Sequence, residues 1–308
     1  MDCSTIIVSF NTFDDTRRAV STALASGASI HHEVIVVDNG SPDGSEGRLR
    51  HHFSADARVR ILGSGGNIGF AAANNVGADV ASGRVLFFLN PDTLVHADAI
   101  PALATFLDDH PEVGAVGPRV LNPDGTDQAT VLSFLTSGEI LRQYLPVLDA
   151  LRGRDRRTDL VPATSGPVDV VKGCALAIPR RTFDMVGGWD TSYFMYAEEV
   201  ELCWQLRQAG YETYYFRDPV ITHLGGVASR DRYVEQQILD RSSALQFLRR
   251  HGGSARVLLN RLAGAIGFGS RVLGFSLLIR LRPEQADDYY LRREAAAALF
   301  YWFARVYE

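Results

Sequence analysis

From Thr5 to Val116 the chain alternates short apolar runs with helical patterns. Thr5–Phe10, Glu33–Val37, Val59–Leu62, Arg84–Leu89 and Val113–Val116 read as strands. Asp14–Ala25, Asn67–Val80 and Ala97–Asp109 read as helices, the last closed by Pro111. The strands are continuous apolar runs, as expected for strands covered on both faces. This βαβ order predicts a Rossmann-like α/β fold, a mostly parallel sheet with helices on both faces. In such sheets ligands sit beyond the carboxyl ends of the strands.

The pattern degrades from about Asn122 to Pro167, where one amphipathic helix (Gly138–Leu151) precedes the basic loop Arg152–Arg157. A stretch this irregular inside a compact domain is either disordered or a functional lid. Beyond it come a strand (Val170–Ile178), a helix (Arg181–Val186), a Gly-Gly-Trp-Asp turn, a longer helix (Ala197–Ala209) and a strand (Glu212–Phe216). The C-terminal part reads as a helical extension.

Composition narrows the field. The chain has 308 residues, 46% of them hydrophobic, and a net charge of −5, so it can bury a full core and offers no general case for nucleic acid. The charge is uneven: the segment from Arg241 onward is basic by about +6 and the remainder acidic by about −11. Three widely spaced cysteines, Cys3, Cys174 and Cys203, form no C-x-x-C pair, which favours a reduced cytoplasmic setting over a disulfide or zinc framework. No basic-then-apolar leader is visible. No long uncharged apolar stretch reads as a membrane span; the nearest, Val257–Ile279, is interrupted by Arg261 and Arg271.

Polar residues follow several strands. Asp38, in Val36-Val37-Asp38-Asn39-Gly40-Ser41, is either a ligand for a ribose or base edge or an Asx-turn and cap residue. Asp92, in Leu89-Asn90-Pro91-Asp92, either offers oxygen to a hard divalent cation or caps the helix near Ala97. His223 is either a ligand or a structural imidazole. The glycine-rich run Gly63–Gly69 fails the G-x-G-x-x-G spacing, yet it brings backbone N–H groups to a helix N-terminus, a natural phosphate or ribose contact.

The helix from Ala197 carries Glu198, Glu199 and Glu201. At 3.6 residues per turn Glu198, Glu201, Gln205 and Gln208 form a polar face. Glu199, Leu202, Cys203, Leu206 and Ala209 form the inward stripe. An inward Glu199 suits a general base, and equally a first-turn carboxylate favoured by the helix dipole.

In order, these segments resemble glycosyltransferase family 2, with its GT-A fold. The matching residues are Ile6–Asn11, Val36–Ser41, Gly66–Phe70 running to Asn74–Gly77, Phe87–Asp92, Gly187–Asp190, Tyr196–Cys203, and His223 with Gly225-Gly226. Gly-Asn-x-Gly-Phe, Leu-Asn-Pro-Asp and the Glu-Glu-Val-Glu-Leu-Cys helix are most similar to the rhamnosyltransferase-like branch.

The resemblance implies an inverting, metal-dependent transfer from a nucleoside-diphosphate sugar in cell-surface polysaccharide assembly, with dTDP-rhamnose the first candidate donor. Asp38, Asn39, Gly66, Asn67, Asn75, Asn90 and Asp92 would bind the donor. Asp92 and His223 would hold Mg²⁺ or Mn²⁺. Glu199 would be the catalytic base, and Trp189, Asp190 and Glu198 would meet the acceptor, a saccharide or a polyprenyl-diphosphate-linked one. Two departures stand out: Asn90 replaces the first carboxylate of the family's D-x-D, and Glu199 stands where the family has Asp. The implied organisation is a GT-A domain over 1–240, with a donor half to about 120 and an acceptor half beyond. A basic helical extension over 241–308 completes it. The basic, semi-apolar region from Arg241 to Arg282 either lies on an anionic membrane surface, at the inner face of the cytoplasmic membrane, or packs on the domain or as a homodimer contact. The rival readings are a UDP-hexose transferase, a sugar nucleotidyltransferase and a non-catalytic binding protein.

Overall fold

The computed structural model describes residues 1–138, 144, 161–225 and 233–305. Most of the expected helix over 138–151, the basic loop 152–157 and Gly226 lie outside the described residues. The chain forms two compact units. The first holds 1–134 and the described residues of 156–228; the second holds those of 135–155 and 229–308.

The first unit is built on strands β1 (Cys3–Ser9), β2 (His32–Asp38), β3 (Val59–Gly63), β4 (Val85–Leu89), β5 (Thr93–Val95) and β6 (Val113–Leu121). To these it adds β7 (Val131–Leu132), β8 (Gly166–Val168), β9 (Val170–Val171), β10 (Ala175–Pro179) and β11 (Glu212–His223). Among the described residues the main sheet runs β3-β2-β1-β4-β10-β6-β11-β5, with β8 also on β11, while β7 and β9 pair separately. The strands from β1 to β4 are mutually parallel and β6 lies parallel to β11. The antiparallel β10 joins these two groups, so the sheet is more mixed than the βαβ pattern predicted. This is the GT-A fold with an appended helical part.

Period-two alternation sends neighbouring residues to opposite faces. Ile7, Val36 and Phe87 join α1 (Phe13–Ser26) and α4 (Ala99–Asp109) in one core, and Ile6, Phe88 and Leu176 join another. That is why these strands read as unbroken apolar runs. The amino end of β2 is also buried, but its polar groups serve the fold. Glu33 accepts from Ser4 and Ser82, and burial pushes the His32 imidazole down to about 4.

Helix boundaries match the periodicity within a few residues; one helix start and one strand differ instructively. The helix expected from Asn67 begins at Phe70 (α3, Phe70–Val80), because Gly69 adopts φ +90°, outside helical space. The strand expected over Val170–Ile178 is broken into β9 and β10 by Lys172-Gly173-Cys174. Between β2 and β3 lies α2 (Ser45–His52), and after β10 come α5 (Arg180–Met185) and α6 (Glu198–Gln208).

The second unit contains α7 (Tyr233–Gly252), α8 (Ser254–Leu281) and α9 (Ala286–Ala304). Leu245, Leu248, Val257, Phe268, Leu299 and Phe303 form its core. Gly264 lets α9 approach closely: a Cβ there would lie 2.6 Å from the Phe303 ring. By length and composition alone α8 passes for a membrane-crossing helix, with Arg261 and Arg271 inside it as expected.

Candidate active site

All the polar residues singled out above lie in the first unit. Asp38 ends β2 and is fully buried. Its Oδ1 accepts the Ser41 N–H at 2.8 Å, the Asx-turn reading, while Oδ2 has no hydrogen-bond partner among the described residues. A buried carboxylate oxygen without a donor costs free energy, so this strand end is suited to receive a polar ligand.

Asn39 and Asn67 hold the loop between β3 and α3. Asn39 Nδ2 donates to Asn67 Oδ1 at 3.1 Å, and Asn39 Oδ1 accepts the Ile68 N–H. The Ser64 N–H donates to the Asp38 carbonyl, which ties this loop to the end of β2. The side chains of Asn39 and Asn67 therefore shape the loop, and the Gly66 carbonyl accepts from Ser64 Oγ at 2.6 Å.

Asn75 is committed elsewhere in the same manner. Its amide donates to the Trp189 carbonyl at 2.8 Å and accepts the Trp189 N–H at 3.0 Å. Trp189 itself is 1% exposed, packed edge-on against Phe88 and Phe70. The expectation that its ring meets an acceptor is corrected: the indole is core, buried by the apolar residues that the turn folds over. Asp190 stays half-buried, accepting the Ser192 N–H at 2.9 Å.

Asp92 and His223 are brought together by strand register. The three-residue strand β5 pairs antiparallel with β11, setting Thr93 opposite His223. The Leu224 N–H donates to the Asp92 carbonyl, and His223 Nε2 lies 3.2 Å from Asp92 Oδ1. Burial alone would raise the Asp92 pKa, but the hydrogen bond and charge of His223 hold it below the usual carboxylate value. Gln128 Oε1 stands 2.8 Å from His223 Nδ1, fixing that nitrogen as the donor and turning Nε2 toward Asp92. Gln128 was not legible in sequence, for it lies in the irregular stretch after β6. Strand β5 left a faint signal in the β-branched Thr93 and Val95.

Among the described residues no three His, Cys, Asp or Glu side chains converge as a metal-binding group. The protein offers two donors, one hard oxygen and one imidazole, a set that suits a divalent cation whose shell is completed by phosphate oxygens and water. Asn90 uses its backbone, its N–H donating to the Cys174 carbonyl and its C=O accepting from Thr93.

The helix α6 departs from its expected orientation. Glu198 and Glu201 are buried, at 6% and 2% exposure, while Glu199 is half-buried and Ala209 exposed. Periodicity assumes one apolar contact face, whereas α6 is covered on two sides. Leu202 and Leu206 enter the core, and Tyr193 donates its hydroxyl to Glu201 at 3.1 Å. Burial and the neighbouring Glu199 charge raise the Glu198 carboxyl well above its ordinary value, and its Oε2 has no hydrogen-bond partner among the described residues. Tyr196 and Ala197, just before the helix, both have positive φ (69° and 62°), a strained entry of the kind found at functional sites.

Glu199 sits close to the break between β9 and β10: a Cβ on Gly173 would meet its Cβ at 3.7 Å. Burial pushes the neighbouring Cys174 thiol up to about 12. Asn90 donates to the Cys174 carbonyl at 2.9 Å and Glu199 lies beside Gly173, so the Asn90-Pro91-Asp92 turn and Glu199 flank the same break. All three cysteines are free and buried.

The model of the family described as Glycosyl transferase family 2 matches residues 4–170, which takes in Asp38, the Gly63–Gly69 loop and Asp92. The chain belongs to glycosyl transferase family 2. Among this family 2 chain's curated relatives is the N-acetylglucosaminyl-diphospho-decaprenol L-rhamnosyltransferase of Mycobacterium tuberculosis, 29% identical over 81% of this chain and 85% of that protein. Another is the low-salt glycan biosynthesis hexosyltransferase Agl10 of Haloferax volcanii, 30% identical over 67% of this chain. The match spans 62% of that relative's length. Among solved structures, the mannosyltransferase PcManGT from Pyrobaculum calidifontis, in complex with GDP-Man and Mn²⁺, superposes with a TM-score of 0.59 at 18% identity. That superposition covers 97% of this chain and 85% of the mannosyltransferase. GalNAc-T7 with UDP, GalNAc and Mn²⁺ gives 0.59 at 16% identity, covering 83% of this chain and 51% of that one. At these identities the likeness is one of fold.

Proposed function

We propose that this family 2 glycosyltransferase moves a sugar from a nucleoside-diphosphate donor to a hydroxyl of a saccharide, or of a polyprenyl-diphosphate-linked saccharide, with inversion at the anomeric carbon. The reaction would belong to cell-surface polysaccharide assembly in the cytoplasm. dTDP-rhamnose is the first candidate donor, supported by the rhamnosyltransferase relative aligned over most of both chains. A UDP-hexose is the second, favoured by the hexosyltransferase relative. The observation that carries the reading is the break between β9 and β10: Asn90, two residues before Asp92, donates to the Cys174 carbonyl at 2.9 Å, and Glu199 packs beside Gly173, a Cβ there lying 3.7 Å from its own.

In this mechanism Asp38 Oδ2 accepts from the nucleoside, and the backbone of the Gly66–Gly69 loop borders the diphosphate. Asp92 and His223 would hold Mg²⁺ or Mn²⁺, and a cation there offsets the negative charge on the departing diphosphate. Asp190 orients the acceptor. Glu199 takes the proton from the acceptor hydroxyl as its oxygen bonds to the anomeric carbon and the bond to the diphosphate breaks. Burial, and then the neighbouring Glu199 charge, push the Glu198 carboxyl toward its neutral form, which lessens the negative charge beside that base.

A thermal-shift panel tests the donor side: UDP-, GDP- and dTDP-sugars, each with Mg²⁺, Mn²⁺ or chelator. One nucleotide class should stabilise the protein, and only with the cation present. Equal stabilisation in chelator would remove Asp92 and His223 from the metal role.

A further inference from the structure

The 28-residue helix α8 packs one side into the core of the second unit and leaves the other bare. Leu258, Leu262, Ile266, Leu273, Leu277 and Leu281 are each between 51% and 74% exposed. At about 100° per residue they fall within an arc of about 140°, one stripe running the length of the helix. Isolated exposed leucines are ordinary, but a continuous row of this length marks a surface that something covers.

Charge identifies the occupant. The helix carries four arginines and no Asp or Glu. Two of them turn inward: Arg261 donates to the Trp302 and Arg305 carbonyls at the end of α9, and Arg271 lies over the Phe268 ring. The other two, Arg256 and Arg280, are exposed, one near each end of the stripe. A second copy of this chain would bring the same acid-free face, with no carboxylate to pair with Arg256 or Arg280. Lipid phosphates supply the missing anions and acyl chains cover the leucines. The inward side of α8 is engaged with α9, so the helix meets lipid along its length.

We infer that the exposed face of α8 docks the protein lengthwise on an anionic membrane surface. The inference concerns the second unit alone and stands apart from the donor-site reading.

Co-sedimentation of the full chain with phosphatidylcholine vesicles, with and without about 30% phosphatidylglycerol, tests it. Binding should require the anionic lipid and be released by high salt. The variant Leu262→Ser/Ile266→Ser/Leu273→Ser should bind at least about tenfold more weakly. Arg256→Ala/Arg280→Ala should lose about fivefold per arginine together with much of the salt dependence. Both alter exposed residues, and circular dichroism and melting temperature should stay at wild-type values. Equal binding to neutral vesicles, unchanged binding of the triple variant, or retention through high salt and alkaline carbonate would overturn the proposal, the last pointing to a spanning helix. So would light scattering that shows a wild-type dimer, broken by the triple variant, without vesicle binding.

Discussion

The imidazole Nε2 of His223 stands 3.2 Å from Oδ1 of Asp92, although 130 residues of chain lie between them. The pairing of β5 with β11 sets them side by side, and Gln128 holds the ring from behind. A cation bound there takes two protein ligands, so its affinity should depend strongly on bound nucleotide. Isothermal titration of nucleoside diphosphate should show Mn²⁺-dependent binding that Asp92→Ala abolishes. Gln128→Leu, which frees the ring without removing a ligand, should weaken metal-dependent binding by about 10–100-fold. Full affinity in Gln128→Leu would show that the ring orientation is unimportant.

The two α6 glutamates should separate by function. Glu199→Gln should lower turnover by about 10²–10⁴-fold while leaving donor affinity within experimental error, the signature of a lost base. Steady-state rates beside equilibrium binding read this directly. Retained turnover would move the base elsewhere.

Glu198 should act on stability. Its folded carboxyl titrates well above the ordinary 4.5, so across that window the native state keeps a proton that the unfolded chain has released. The free energy of unfolding then falls as pH rises from the ordinary value through the raised one. Glu198→Gln removes this loss. Denaturant melts should show the variant gaining on wild type as pH rises above the ordinary carboxylate range. A constant difference over that rise would mean that Glu198 is ionised in the fold.

Asn75 joins α3 to the Gly187–Asp190 turn through two hydrogen bonds to the Trp189 backbone. Asn75→Ala should cost about 2 kcal/mol, since it leaves the Trp189 N–H without its acceptor. Asn75→Asp should restore the acceptor but lose the donor and fall between. Urea midpoints at constant m-value check the order.

Gly69 tests the loop that borders the proposed diphosphate position. A Cβ there would sit 2.7 Å from the Phe194 carbonyl oxygen, at a φ of +90° that L residues rarely adopt. Gly69→Ala should cost at least about 1–2 kcal/mol of stability and weaken donor binding, both readable by thermal shift with and without nucleotide. An unchanged variant would show that the loop relaxes freely.

The strands of the parallel half were legible because each is buried on both faces, and unbroken runs such as Val34–Val37 and Val85–Leu89 have no other economical reading. The antiparallel β10 was read as part of a longer strand, since Lys172-Gly173-Cys174 breaks the pairing with little change in hydropathy. Asp38 and Asp92 were visible as polar residues ending strands. The Asx-turn of Asp38 with Ser41 was visible too, whereas Gln128, which holds His223, was not, because it lies in a loop without periodicity. Helix periodicity placed Leu202 and Leu206 correctly and misplaced Glu198 and Glu201, since a 3.6-residue repeat describes one contact face and α6 has two. Trp189 was read from its motif as an acceptor contact, while its burial depends on Phe70 and Phe88, distant in sequence.

The most direct measurement is a single-turnover assay with labelled nucleotide sugar, Mn²⁺ and a saccharide acceptor. It follows the new glycosidic bond and release of nucleoside diphosphate in wild type, Asp92→Ala and Glu199→Gln. The account predicts stoichiometric sugar transfer with inverted anomeric configuration by wild type alone, while Glu199→Gln binds donor and stalls. Transfer with retained configuration, or transfer that survives in both variants, would contradict it.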